Sequence, residues 1–318
     1  MADQRTAELR LDAGDGHNLY VAEAGSPDGI PAVFLHGGPG SGCQPGHADL
    51  FDRRRFRVVL PDQRGAGRST PKGRLDANTT AHLIADLERI RAELGIRRWM
   101  VVGGSWGATL GIAYAEAHPD RVSAMVLRAV FLGTAAELHW AFGDGPRTLR
   151  PDLWAALTAL LPADERDDPM GAFGRRLRNP DPAVHAPAAC VWGDFERTLS
   201  EINPARAIPL PQSLDRAAEG REIPSTPYVE NHYFRNDCFL GPDQLLAEAG
   251  KLGDIPAVIV QGRYDLLCPP RTSAALAAAW PGCEVRIVEG AGHTMSDPGV
   301  EDAVREAIRD LADRIADD

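Results

Sequence analysis

A doubly wound, mostly parallel α/β sheet with a helical insertion is the fold class that this 318-residue sequence predicts. Three observations point to it. Short β-branched runs that end at Gly, Asp or Pro alternate with segments of helical period. The later runs are almost continuously apolar, as expected of parallel strands covered on both faces. The alternation stops between about Gly133 and Leu240 and then resumes, which marks an insertion rather than a second independent domain. A chain of this length can bury a large core without staples.

In chain order, the strands are "LYVAEAG" (19–25), "AVFLHGG" (32–38), "FRVVLPD" (56–62) and "WMVVGGS" (99–105). "AMVLRAV" (124–130), "AVIVQG" (257–262) and "EVRIVEG" (284–290) complete the set. Helical spacing appears at 80–94, 106–117, 272–280 and 300–315. In the last segment Val300, Val304, Ile308, Leu311 and Ile315 form one apolar stripe. The stretch 133–240 is rich in Pro, Arg, Asp and Trp, and its apolar residues fit short helices such as "DLWAALTALL" (152–161). The expected organisation is a sheet domain of residues 1–132 and 241–318 carrying a helical insertion of residues 133–240.

Composition excludes several functions. The formal net charge of −11 and the absence of any basic block longer than Arg53–Arg55 make nucleic acid a poor partner. No apolar run reaches the roughly 18 residues a membrane span needs. Cys43, Cys190, Cys238, Cys268 and Cys283 are odd in number and scattered, without a C-x-x-C pair. They read as free thiols of a reducing compartment, and with no leader pattern in sight the expected location is the cytoplasm. There is no H-E-x-x-H and no phosphate-binding glycine loop, so neither metal nor nucleotide cofactor is expected.

The chemistry is concentrated at "GGSWG", Gly103 to Gly107, between a strand and a helix. G-x-S-x-G in that context is a nucleophile elbow, with Ser105 on a strained turn above the sheet. The pentapeptide alone leaves a second reading open, in which Ser105 only caps the helix. A serine nucleophile needs a base, and the base an orienting acid, in the order Ser, Asp, His for this α/β-hydrolase architecture. Asp265 follows "AVIVQG", and His293 follows "EVRIVEG" with a Gly-Ala-Gly lead-in. Both stand a few residues beyond a strand. A carboxylate after the sixth strand is the other usual source of the acid, but the first one there is Glu137, which favours Asp265. Backbone amides of Trp106, next to the nucleophile, and Gly38, in the glycine-rich "HGGPG" loop, are the natural oxyanion donors. Asp62, Arg64 and Ser69 of "DQRGAGRS" read as loop-holding groups rather than catalytic ones.

"HGGPG" (36–40), "DQRGAGRS" (62–69), "GGSWGATL" (103–110), "GRYDLLCP" (262–269) and "GAGH" (290–293) together resemble the proline iminopeptidases, α/β-hydrolase serine peptidases. The resemblance runs over nearly the whole chain. It implies release of an N-terminal residue, preferably proline, from short peptides with a free N-terminus, without a cofactor. It also implies that the insertion after the sixth strand is a specificity cap. Trp192-Gly193-Asp194-Phe195-Glu196 is similar to the family's W-x-x-W-E, and Glu230–Phe234 matches its E-N-H-Y-F, so Glu196 and Glu230 are implied to bind the substrate amine. By the same register Phe131 and Phe234 are implied to wall the proline ring. One departure matters: the family's aromatic after the residue matching Trp140 is Ala141 here, followed by Phe142, so a wider pocket is expected. A broader aminopeptidase, an amino-acid amidase or an esterase is the alternative on the same scaffold. The sequence leaves the oligomeric state open and is compatible with a monomer.

Overall fold

A computed structural model describes residues 7–203, 206, 209–218 and 223–316. Its strands are β1 (Ala7–Gly14), β2 (His17–Gly25), β3 (Ile30–Leu35), β4 (Phe56–Asp62), β5 (Trp99–Ser105), β6 (Val122–Val130), β7 (Ala257–Gly262) and β8 (Cys283–Val288). They form one sheet in the order β1-β2-β4-β3-β5-β6-β7-β8. β2 runs antiparallel to both its neighbours, β1 and β4, and every other neighbouring pair is parallel.

β1 is absent from the strand list read from the sequence, and β2 begins two residues earlier than expected. The reason is local. Glu8, Arg10 and Asp12 alternate with Leu9 and Leu11 on an edge strand that is largely solvent-exposed, so its apolar signal is thin. Pairing with β2, Leu9 opposite Val21 and Leu11 opposite Leu19, holds it in place.

The helices of the sheet domain are α1 (Thr80–Glu93), α2 (Trp106–Ala117), α10 (Gln244–Ala247), α11 (Pro270–Ala279) and α12 (Val300–Ala316). Thr79 caps α1 by accepting from the amide of His82, as a Thr at this position should. The α12 stripe buries Val300, Val304, Ile308 and Leu311 against Met100, Val126, Val258 and Val260 on one face of the sheet. Each such side chain contributes about 1.5–3 kcal/mol of burial. On the opposite face α1 and α2 pack through Leu83, Leu87, Ile90, Leu110 and Tyr114.

Between β6 and β7 the chain is helical: α3 (Ala135–His139), α4 (Gly145–Leu149), α5 (Pro151–Ala159), α6 (Pro169–Leu177), α7 (Pro182–Ser200), α8 (Leu210–Ala218) and α9 (Thr226–Phe234). A π-helical turn, Trp140–Asp144, joins α3 to α4. Leu157, Phe173, Trp192 and Phe195 form the packing centre of these helices, continuous with the apolar layer over the sheet.

The segment after β4 is knitted as a support. Buried Asp62 accepts from the amides of Cys43 (2.6 Å) and Arg68 (2.8 Å). Arg64 makes a two-pronged pair with Asp86 at 2.7 and 2.9 Å. The Ser69 hydroxyl donates to the Asp62 carbonyl at 2.6 Å. These contacts are structural.

Candidate active site

Ser105 stands at the junction of β5 and α2 with φ 55° and ψ −126°, a conformation an L-residue adopts only at a cost of about 1–3 kcal/mol. Its neighbours make the turn possible. A Cβ on Gly103 would lie 2.6 Å from the Gly107 carbonyl oxygen, and one on Gly107 only 2.1 Å from that of Leu35. Only hydrogen side chains let α2 approach β3 and β5 this closely. The Ser105 side chain makes no capping hydrogen bond to α2, so the cap reading fails.

Asp265 and His293 come together beside it. Asp265 is buried, and its Oδ1 accepts from the amides of Leu267 (3.0 Å) and Cys268 (2.8 Å). Its Oδ2 lies 2.9 Å from His293 Nδ1. The carboxylate therefore orients the ring and leaves Nε2 for other work. Ser105 and His293 line one cavity of about 400 Å³, together with Gly38, Glu196 and Glu230.

The two amides expected to hold an oxyanion belong to Trp106 and Gly38. The Trp106 amide is the first of α2, one of four that no intrahelical carbonyl can take. Gly38 has φ +108° in the loop after β3. That loop is clamped by the Gln63 amide donating to His36 Nε2 at 3.0 Å and the Gln63 side chain donating to the His36 carbonyl at 2.9 Å. The Trp106 indole donates to Gln63 at 2.9 Å, which ties both donor segments to one residue.

Across the cavity, α7 supplies Glu196 and α9 supplies Glu230. Glu230 is completely buried, with the Trp192 indole donating to its Oε2 at 3.3 Å. Burial raises the Glu230 carboxyl well above the usual carboxylate range, and the adjacent Glu196 charge raises it further. Burial also raises Glu196. Were both ionised, Oε1 of Glu230 would face no donor at all. Burial and the neighbouring carboxylate therefore favour the protonated form of Glu230.

A narrow recess next to Ser105 is lined by Gly38, Phe131, Leu138, Ala141, Phe142, Glu196, Phe234, Leu267 and Cys268. Phe131 and Phe234 meet edge to face at 6.0 Å, and Phe142 packs on Phe234 at 5.7 Å and on Trp192 at 4.8 Å. The π-helical turn brings both Ala141 and Phe142 to the wall, because the wider winding turns consecutive residues toward one side. The aromatic expected one position earlier is thereby replaced by Phe142.

Known proteins resemble this chain over most of its length. A family model described as the alpha/beta hydrolase fold fits residues 31–299. A probable proline iminopeptidase of Leptolyngbya boryana is 41% identical over 292 residues, which cover 92% of this chain and 89% of that protein. Proline iminopeptidases of Xylella fastidiosa (42%, covering 92% and 93%) and Arabidopsis thaliana (40%, covering 91% and 76%) are similar. The chain belongs to the proline iminopeptidase family. Among solved structures, the proline iminopeptidase of Mycobacterium smegmatis superposes with a TM-score of 0.62 at 21% identity, over 98% of this chain and all of that one. A membrane phospholipase A reaches 0.63 at 16% identity, over 98% and 87%. At such identities the superpositions establish the shared fold and no more.

Two groups in this member of the proline iminopeptidase family escaped the sequence reading. Arg128, near the end of β6, is partly buried beneath the elbow and donates to the His293 carbonyl. Burial pulls its guanidinium down, while the charge of Asp265 opposes the fall. A lone cation inside the apolar run "AMVLRAV" was the available signal. Cys268 lies beside Ser105, and burial pushes its thiol well above the ordinary range, so it stays protonated and is no rival nucleophile.

Proposed function

We propose that this chain is a serine aminopeptidase that releases an N-terminal residue, preferentially proline, from short peptides through an acyl-enzyme. The observation that carries the reading is the buried Glu196–Glu230 pair opening on the same cavity as Ser105 and His293. An esterase has no use for a desolvated carboxyl pair there; a peptidase that must find a free N-terminus does. The α-amino group is cationic near neutral pH, and the pair offers it one negative charge in a dry setting.

In this mechanism His293 takes the proton of Ser105 as its oxygen attacks the first peptide carbonyl. Asp265 keeps the ring oriented and stabilises the imidazolium. The amides of Trp106 and Gly38 take the oxyanion, a donor of this kind being worth about 10²–10³ in rate. His293 then protonates the leaving amine, and water releases the product by the reverse sequence. Phe131, Phe142 and Phe234 hold the ring of the first residue. Residues 133–240 act as the cap that carries specificity over the sheet domain, 1–132 and 241–318. That all five cysteines are free supports a cytoplasmic setting. No helix among the described residues is long and apolar enough to cross a membrane.

The test is kcat/KM on matched arylamides of Pro, Ala, Leu and N-acetyl-Pro. The expected result is a preference for Pro of at least about tenfold and no turnover of the acetylated form, all of it lost in Ser105→Ala. Turnover of N-acetyl-Pro would remove the amine clamp and make the chain an amidase or esterase. Comparable rates on Pro, Ala and Leu would support the second reading, a broader aminopeptidase, which the small Ala141 on the recess wall favours.

A further inference from the structure

We propose that Arg197 binds the C-terminal carboxylate of the substrate, so that the preferred substrates are zwitterionic dipeptides and the shortest peptides beyond them. The inference rests on the aminopeptidase reading above and extends it to the far end of the substrate. Gly193, Glu196, Arg197 and Ser200 all line the cavity, at the i, i+3, i+4 and i+7 positions of α7. That spacing puts them on one face of the helix. Along this face the partly buried Glu196 carboxylate is followed at once by a half-exposed guanidinium, whose side chain is 52% accessible.

The charge pattern complements a short peptide. The permanent cations lining the cavity, among the described residues, are Arg128 and Arg197. Arg128 is partly buried under the elbow, where it donates to the His293 carbonyl. His47, also on the lining, is pushed down to about 4 by burial and by the nearby positive charges, so it is neutral at physiological pH. Arg197 is the more exposed of the two arginines, and so the cation that an anion entering the cavity meets. Asp194, itself buried and held by the Ser213 hydroxyl at 2.7 Å, steers the guanidinium through one contact at 3.2 Å. Four of the five donors of the fork remain for a carboxylate.

The dimensions agree. One helical turn advances about 5.4 Å along α7. Two extended residues span about 7 Å. A dipeptide of that length, with its amine at Glu196 and Glu230 and its carbonyl at Ser105, stays within the cavity that Arg197 also lines.

The experiment compares kcat/KM for Pro-Ala and Pro-Ala-amide, which differ only in the terminal charge. The wild-type enzyme is expected to favour the free acid about tenfold, the worth of one charge-assisted contact at a half-exposed site. Screening by 0.5 M salt is expected to shrink that ratio severalfold. In Arg197→Gln the ratio falls to near one, and in Arg197→Lys part of it is kept. A wild-type ratio near one, or a ratio that Arg197→Gln leaves intact, overturns the proposal. The salt dependence needs no variant and decides the matter even if the substitution disturbs α7. Failure of the underlying reading looks different: N-acetyl-Pro-arylamide would be turned over as well as the Pro-arylamide.

Discussion

Glu116 shows how much a single buried group can shift the balance of this protein. It sits at the end of α2 with both carboxylate oxygens buried and facing no donor in good geometry. Burial, reinforced by the charge of Glu248, lifts its pKa from an ordinary 4.5 to about 8. In the unfolded chain the group ionises near 4.5, so folding takes up a proton throughout the interval between these values. Stability from this group is thus complete below about pH 4.5 and is lost as pH rises toward 8. Glu116→Gln cannot ionise, so it is expected to gain on the order of 2–4 kcal/mol over the wild type at pH 8 and almost nothing at pH 5. Thermal midpoints measured across that range check it, and a gain independent of pH would remove the explanation. Burial of the same kind acts at Glu230, where the charge of the neighbouring Glu196 adds to it.

At the scale of elements, the elbow depends on how closely α2 lies against β3. The Cβ of an alanine at position 107 would stand 2.1 Å from the Leu35 carbonyl oxygen, a backbone atom that cannot step aside. Gly107→Ala is therefore expected to cost about 3 kcal/mol or more and to displace Ser105 from His293. One turn further along α2, a Cβ on Gly111 meets the Val101 and Met125 side chains at 3.1 and 3.5 Å, which can adjust. There the helix-favouring effect of alanine offsets much of the crowding, and the change should stay within about 1 kcal/mol. Denaturant midpoints and esterase activity of the two variants separate the cases. The glycine spacing that creates this contact is readable in "GGSWG", as are the apolar runs of β5 and α2, whose limits match the sequence reading residue for residue. The π-helical turn at Trp140–Asp144 is not readable, because nothing local in "WAFGD" demands the wider winding.

Over the whole molecule, the helices inserted between β6 and β7 and the sheet beneath them share one apolar core. Phe142, Trp192, Phe195 and Tyr233 from the insertion belong to the same buried cluster as Trp106, Leu110, Leu127 and Val130. Tyr233 packs on Trp106 at 4.6 Å, directly beside the nucleophile. Because the two parts share that cluster, neither can shed the other without exposing it. Scanning calorimetry is expected to give a single transition for the full chain, shifted as a unit by core substitutions on either side. Two resolved transitions would show that the insertion unfolds by itself.

The sequence by itself determined the alternation of strand and helix, the insertion, the strained turn at Ser105 and the order Ser105, Asp265, His293. All of these are written in local pattern: periodicity, glycine spacing and the residue types that follow a strand. Tertiary structure alone decided the rest. It brought Glu196 and Glu230 to one cavity, set Arg128 under His293 and placed Arg197 on the rim of that cavity. It also recruited β1, whose half-exposed alternation gains meaning only beside β2. The physical reason is common to these cases. A charged residue carries the same letter whether it is solvated or buried, and which of the two it becomes depends on what distant segments exclude water from it.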